Sequence, residues 1–234
     1  MSIRRESGRH FVQAEAEVPG TAEEVWDAIA TGPGVTSWFV PTDMRADGTI
    51  VSEFGPGMES VALLTEWDPP RRFVAESDGF DPNGPSLETE WCVEARPGGG
   101  CVVRVVHSLP TETDEWDRQL ESVEAGWPDY FRLLVLYLRH FPGRYASTSQ
   151  FMAVTPKPAA EVWDRLTAKL PFSGALAYVA TCQRILLAPA MVVHLFAMPM
   201  GKQTVVCLRT YDFGDTPAVQ PDWQQWLQAI ANGS

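Results

Sequence analysis

Trp116, Leu120, Val123, Trp127, Phe131, Leu134 and Leu138 recur at steps of three or four, which is the spacing of residues that share one face of an α-helix. The pattern predicts one long amphipathic helix from about Asp114 to Phe141, ended by Pro142-Gly143. Pro128 falls inside it and removes one backbone hydrogen bond, so a bend is expected near Gly126-Trp127-Pro128. A helix with so continuous an apolar face must bury it, and the residues before it say against what. Turn signals stand at Asp47-Gly48, Gly55–Gly57, Asp68–Pro70, Asp81–Pro85 and Pro97–Gly100. Between them lie five or six strand-length runs, most plainly SVALLTEW, RRFVAES, LETEWCVEA and CVVRVVHSL. Strands joined by short turns make an antiparallel sheet, which curves around the long helix.

The amino-terminal part supplies one more strand and a short helix. From Arg9 to Val18, Val12, Ala14, Ala16 and Val18 alternate with Gln13, Glu15 and Glu17, the period of a strand with one wet face. Thr21 and Glu24 have the spacing of a capping box. Val25, Trp26 and Ile29 then give the helix an apolar face, and it stops by Thr31–Gly34.

The tetrapeptide Glu-Val-Trp-Asp of this helix returns at Glu161–Asp164, again after a strand-like run, Gln150–Thr155. A helix over Ala159–Leu170, two or three strands up to Gly214 and a last helix around Trp223, Trp226, Leu227 and Ile230 complete a shortened version of the same order. The fold class is therefore α+β: residues 1–143 as a first domain and 145–234 as a truncated second copy or an accessory unit. The shorter unit is expected to pack on the first domain or on a second chain.

The net charge of −12 is uneven: residues 1–144 carry twelve Lys/Arg against twenty-five Asp/Glu, and residues 145–234 carry six against five. An acidic body without a basic stripe disfavours nucleic acid and anionic membrane as partners. The run Ile185–Met200, interrupted by Pro189, His194 and Pro199, reads as buried strands and not as a membrane span. Cys92, Cys101, Cys182 and Cys207 form no C-x-x-C pair, and MSIRRESGRHF lacks the apolar core of a signal peptide. These features point to a cytoplasmic protein with free thiols.

Val18–Phe39, the strand-turn-strand Glu66–Phe73, the strand Gly98–Ser108 and the helix Gly126–Leu138 together resemble the START-like (SRPBCC, helix-grip) superfamily, in particular its branch similar to the activator of heat-shock protein 90 ATPase. The resemblance covers about residues 8–143. It implies a curved antiparallel sheet gripping a long carboxy-terminal helix, and a cavity between them that holds apolar or aromatic small molecules. It does not imply an enzyme.

Strand parity nominates the residues that would face such a cavity. Arg104 points to water, so Cys101, Val103, Val105 and His107 take the other face. Glu88, Glu90 and Glu94 point outward, so Leu87, Thr89, Trp91 and Val93 face in. Phe73 joins them from the neighbouring strand, with Trp67 a further candidate, and the long helix offers Trp127 and Phe131. The candidate ligand-binding set is Phe73, Trp91, Val103, Val105, His107, Trp127 and Phe131. Taken singly, each aromatic reads first as plain core, and His107, the one histidine assigned to an inward strand position, reads at least equally as a buried structural residue bonded to a neighbour. Cys101 and His107 share a face but lie roughly 20 Å apart along a strand, too far to share a metal, and no nucleophile elbow or nucleotide loop appears. No metal, cofactor or catalytic residue is assigned. Three function classes follow, in this order: a non-catalytic binder of a small hydrophobic molecule; a protein-interaction module, such as a chaperone-ATPase regulator or a partner docked through the acidic surface; and a cyclase- or hydrolase-like enzyme using the same cavity, with a protein partner or a homodimer as a further expectation.

Overall fold

The computed structural model describes residues 3–78, 84–111, 113–215 and 222–233. At its amino end β1 (Arg4–Glu6) and β2 (Arg9–Val18) form a hairpin. Helix α1 (Ala22–Ala30) follows with both halves of the capping box in place: the Glu24 backbone N–H donates to Thr21 Oγ1 at 3.2 Å, and the Thr21 backbone N–H donates to Glu24 Oε2 at 2.8 Å. Thr31 does not simply end α1. Its hydroxyl accepts from the Gly34 backbone N–H and caps a second short helix, α2 (Gly32–Thr36). Gly34 is required there, because a Cβ would lie 2.0 Å from the Asp27 carbonyl oxygen. What the sequence presents as a turn is thus a close helix-helix approach.

Six strands follow: β3 (Thr42–Met44), β4 (Thr49–Glu53), β5 (Glu59–Asp68), β6 (Arg72–Ser77), β7 (Leu87–Ala95) and β8 (Cys101–Pro110). With the amino-terminal hairpin they make one antiparallel sheet in the order β1-β2-β8-β7-β6-β5-β4-β3. The turn signal at Asp81–Asn83 lies outside the described residues. A single 3₁₀ turn, Asp114–Trp116, leads into α3 (Asp117–His140), which runs through Pro128. It lies on the inward face of β2 and beside α1, burying Leu120, Trp127, Phe131, Leu133, Leu134, Tyr137 and Leu138. The molecule is α+β with a helix-grip arrangement of curved sheet and long helix.

The chain divides into two compact units, Met1–Tyr145 and Ala146–Ser234. The second holds β9 (Ser147–Thr155), α4 (Ala159–Ala168), β10 (Ala175–Ala180), β11 (Gln183–Ala188), β12 (Met191–Met200), β13 (Gln203–Asp212) and α5 (Trp223–Asn232). Four strands separate the two helices, where the sequence had suggested two or three. The Ile185–Met200 run becomes parts of β11 and β12, its Pro189 falling between them. Among the described residues no helix is long and apolar enough to cross a membrane. The sheet order is β10-β11-β12-β13-β9. One of its faces carries Ala153, Val193, Leu195 and Leu208 against Val162 and Leu166 of α4 and Trp223, Leu227 and Ile230 of α5.

The two Glu-Val-Trp-Asp helices can be compared position by position. Trp26 is the fifth residue of α1 and Trp163 the fifth of α4. Val25 and Val162 before them are fully buried, as are Ile29 and Leu166 one turn on. The caps differ: Pro158 precedes α4 and gives no side-chain cap. The aspartates differ too. Asp164 is exposed, whereas both carboxylate oxygens of Asp27 accept from the Tyr145 hydroxyl, at 3.0 and 3.2 Å, so Asp27 is not simply facing water.

Candidate functional site in the grip of sheet and helix

Register places the inward side chains of the first unit in rows. One row reads Trp67, Phe73, Trp91, Val105 and Ala14 across β5, β6, β7, β8 and β2. The next reads Leu64, Ala75, Thr89, His107 and Val12, and a third contains Val93, Val103 and Ala16. A bulge between Leu64 and Glu66 resets the phase of β5, which is why both Leu64 and Trp67 reach this face. The opposite face is charged: Arg72 pairs with Glu66 and Glu90, and Arg104 with Glu15.

Helix α3 lays Trp127, Tyr130 and Phe131 over these rows, the i, i+3 and i+4 positions of one helical face. The Trp91 ring meets Trp127 edge-on at 5.1 Å, Phe131 edge-on at 6.3 Å and Phe73 in a stack at 6.3 Å. Such edge-to-face and offset contacts each add about 0.5–1.5 kcal/mol beyond area burial. Trp67 remains 46% exposed, yet its ring packs on Trp26 and Phe73 at 4.9 and 5.9 Å. Six of the seven candidates, Phe73, Trp91, Val103, Val105, Trp127 and Phe131, thus meet as one apolar wall, and His107 stands at its polar point.

His107 has two partners. The Trp127 indole Nε1–H donates to His107 Nε2 at 2.8 Å, and because an indole nitrogen can only donate, Nε2 is the acceptor nitrogen. The proton therefore sits on Nδ1, which donates to Thr89 Oγ1 at 3.0 Å. Burial lowers the His107 pKa to about 4, so the ring is neutral near pH 7. Its plane lies 18° from that of Trp127, with centroids 5.7 Å apart. The histidine fixes the orientation of the wall's central tryptophan.

Sequence reasoning missed part of this site. Trp38 and Phe39 belong to it: Trp38 packs edge-on to Trp91 at 6.3 Å, and Phe39 stacks with Trp127 at 5.5 Å. They sit just after α2, outside any helical or strand period, so pattern alone could not orient them. The Trp38 indole donates to the Ala28 carbonyl at 2.8 Å, tying that segment to α1. His107 is also not the sole inward histidine. His10 shares the parity of Val12 and is buried, with Nδ1 2.7 Å from Asp117 Oδ1 at the start of α3. The ligand-type atoms of His10, Asp114 and Asp117 lie within 4.8 Å of one another. The Arg5 guanidinium bonds both carboxylates, so one of their two charges is already compensated by a side chain.

The family model described as "Activator of Hsp90 ATPase homolog 1-like protein" matches residues 19–139, more than half of the chain. The chain belongs to this family. The match runs from the end of β2 to the end of α3, so the family's signature is the grip itself and stops before the second unit. No curated protein matches the chain. Similar solved structures include DynU16, a protein of the dynemicin biosynthetic locus, at 17% identity and TM-score 0.48, covering 94% of this chain and 96% of that one. The di-domain ARO/CYC BexL of the BE-7585A biosynthetic pathway is 15% identical with TM-score 0.48, covering 87% and 85%. The Aha1 dimer from Colwellia psychrerythraea is 20% identical with TM-score 0.45, covering 55% of this chain and 95% of that one.

Proposed function

We propose that the first unit of this family member binds a small apolar or aromatic molecule between sheet and long helix without transforming it. The observation that carries this reading is that part of the inward face keeps some solvent exposure. Ala14, Leu64, Leu87 and Thr89 point toward the helix side yet are only half-buried, and Trp91 and Trp127 beside them keep 9% and 8% exposure. An apolar lining with one or two polar groups is the usual make-up of a small-molecule site. The polar atoms at its centre are already committed to one another, so a ligand meets ring faces and gains affinity from apolar burial, at roughly 25 cal/mol per Å² before association costs. Thr89 Oγ1 accepts from His107, which leaves the half-buried Thr89 O–H as the donor that a ligand oxygen would meet. In this reading the second unit is a truncated copy of the first, on the strength of the matched positions in α1 and α4.

A second reading, a protein-interaction module, draws on a different feature. Val61 and Leu63 on the outer face of β5 are 55% and 54% exposed, and exposed apolar neighbours often mark a partner surface.

The two separate in a thermal-shift screen of flat aromatic and fatty-acid-like compounds. A compound at about one hundred times its Kd stabilises the folded state by about 2.7 kcal/mol, which is several degrees of melting temperature. Such hits are expected on the wild type, to be lost in Trp127→Leu and retained in Val61→Ser. An absence of hits, or hits indifferent to Trp127, would count against the cavity and favour a surface role.

A further inference from the structure

One polar atom of the long helix is unmatched. Gln119 Oε1 on α3 is shut away from solvent and, among the described residues, accepts no hydrogen bond. A buried acceptor in that condition destabilises the folded state, and native chains keep few of them. Helix geometry says which way it faces. Asp117 points to the β1–β2 edge of the sheet, where its carboxylate meets His10 and Arg5. Two residues further is about 200° around an α-helix, so Gln119 takes the opposite flank, over the β7 side. Leu120 beside it packs in one cluster with Leu87 of β7, and Thr89 is the next inward residue of that strand. The same flank carries half-buried Val123 one turn later. About three turns along it stands Tyr130, whose ring meets Phe39 edge-on at 4.5 Å. Gln119 therefore lies on the flank that borders the aromatic wall, at its Leu87–Thr89 end.

We propose that Gln119 selects the polar group of the bound molecule, its Oε1 accepting from a ligand hydroxyl lodged at the Leu87–Thr89 end of the space between sheet and helix. The proposal rests on the ligand-binding reading above and narrows it to hydroxyl-bearing aromatic molecules. Two unmatched functions meet at this end: the Gln119 acceptor and the Thr89 O–H, left over once Thr89 Oγ1 has accepted from His107. A hydroxyl supplies a donor and an acceptor together, whereas a methyl ether supplies an acceptor alone. A carboxylate supplies acceptors only, and it would set its charge against the Gln119 carbonyl oxygen within a lining of aromatic rings. The hydroxyl is thus the group that completes both side chains, and a fatty-acid-like carboxylate is the one this end turns away.

Isothermal titration of the full chain with 2-naphthol, its methyl ether and 2-naphthoate tests this. The naphthol is expected to bind at least about tenfold more tightly than the ether, the difference made by one satisfied buried acceptor, with the naphthoate weaker than either. Gln119→Met keeps the reach and the helix propensity of the side chain but removes the acceptor. It should bring the naphthol and the ether to within about twofold of each other. Without ligand, its melting temperature should match or exceed that of the wild type, because an unmatched buried acceptor has gone. Gln119→Leu should behave alike. An ether bound as tightly as the naphthol, a naphthol preference that survives both substitutions, or a melting temperature lowered by both would overturn the role of Gln119 and leave the ligand-binding reading standing. Binding of none of the three compounds to the wild type would overturn both.

Discussion

Trp91→Ala is expected to cost the first unit about 3–5 kcal/mol, the usual range for truncating a large buried aromatic. Trp91 sits in the central row of the sheet and its ring touches Trp38, Phe73, Trp127 and Phe131. Its removal takes away four ring contacts and leaves a void that flanking β-strands cannot close. Urea unfolding with an unchanged slope would report the loss directly. The size of the effect also bears on function. A wall that borders a ligand space is already unsupported on one side, so the cost should fall toward the low end of the range, and a ligand should recover part of it. A cost under about 1 kcal/mol would show that Trp91 is not part of the packing described.

Acid should destabilise the protein well above the pH at which its carboxylates protonate. His107 titrates at about 4 when folded because burial penalises the charged ring. His194 of the second unit titrates at about 3, through burial and the Arg209 guanidinium near it, with Gln183 Nε2 donating to its Nε2 at 2.8 Å. In the unfolded chain both titrate near 6.5. Between pH 6.5 and 4 the unfolded state therefore binds more protons than the folded one, and stability rises with pH across that window. The histidine contribution is fully present above pH 6.5 and lost as pH falls: about 3 kcal/mol for His107 by pH 4, with a further loss from His194 continuing toward pH 3. Urea midpoints measured from pH 7 to pH 4 should fall, and fall less steeply in His107→Gln and His194→Gln. Midpoints that stay level or rise on acidification to pH 4 would contradict the neutral, buried assignment.

Much of the first unit was legible because its side chains obey simple periods. The alternation in Cys101–Leu109 and Leu87–Ala95 correctly put Trp91, Val103, Val105 and His107 on one face, since successive strand residues must alternate. The helical spacing of Trp127 and Phe131 set both against that face. Trp38 and Phe39 were illegible as site residues because their placement depends on a tertiary contact, the approach of α2 to α1 that only Gly34 permits. Thr89 was legible as inward but not as the partner of His107, because register between β7 and β8 is a property of the pair and neither strand states it.

The indole N–H signals of the nine tryptophans test the central claim most directly. They are recorded by ¹H–¹⁵N correlation as a thermal-shift hit is added, and assigned by single Trp→Phe substitutions. Binding between sheet and helix predicts that the Trp91 and Trp127 signals move together and saturate, with Trp223 and Trp226 of the second unit unchanged. Saturable shifts confined to the second unit or to exposed Trp67, with Trp91 and Trp127 unmoved, would contradict it and move the function of this chain to its surface.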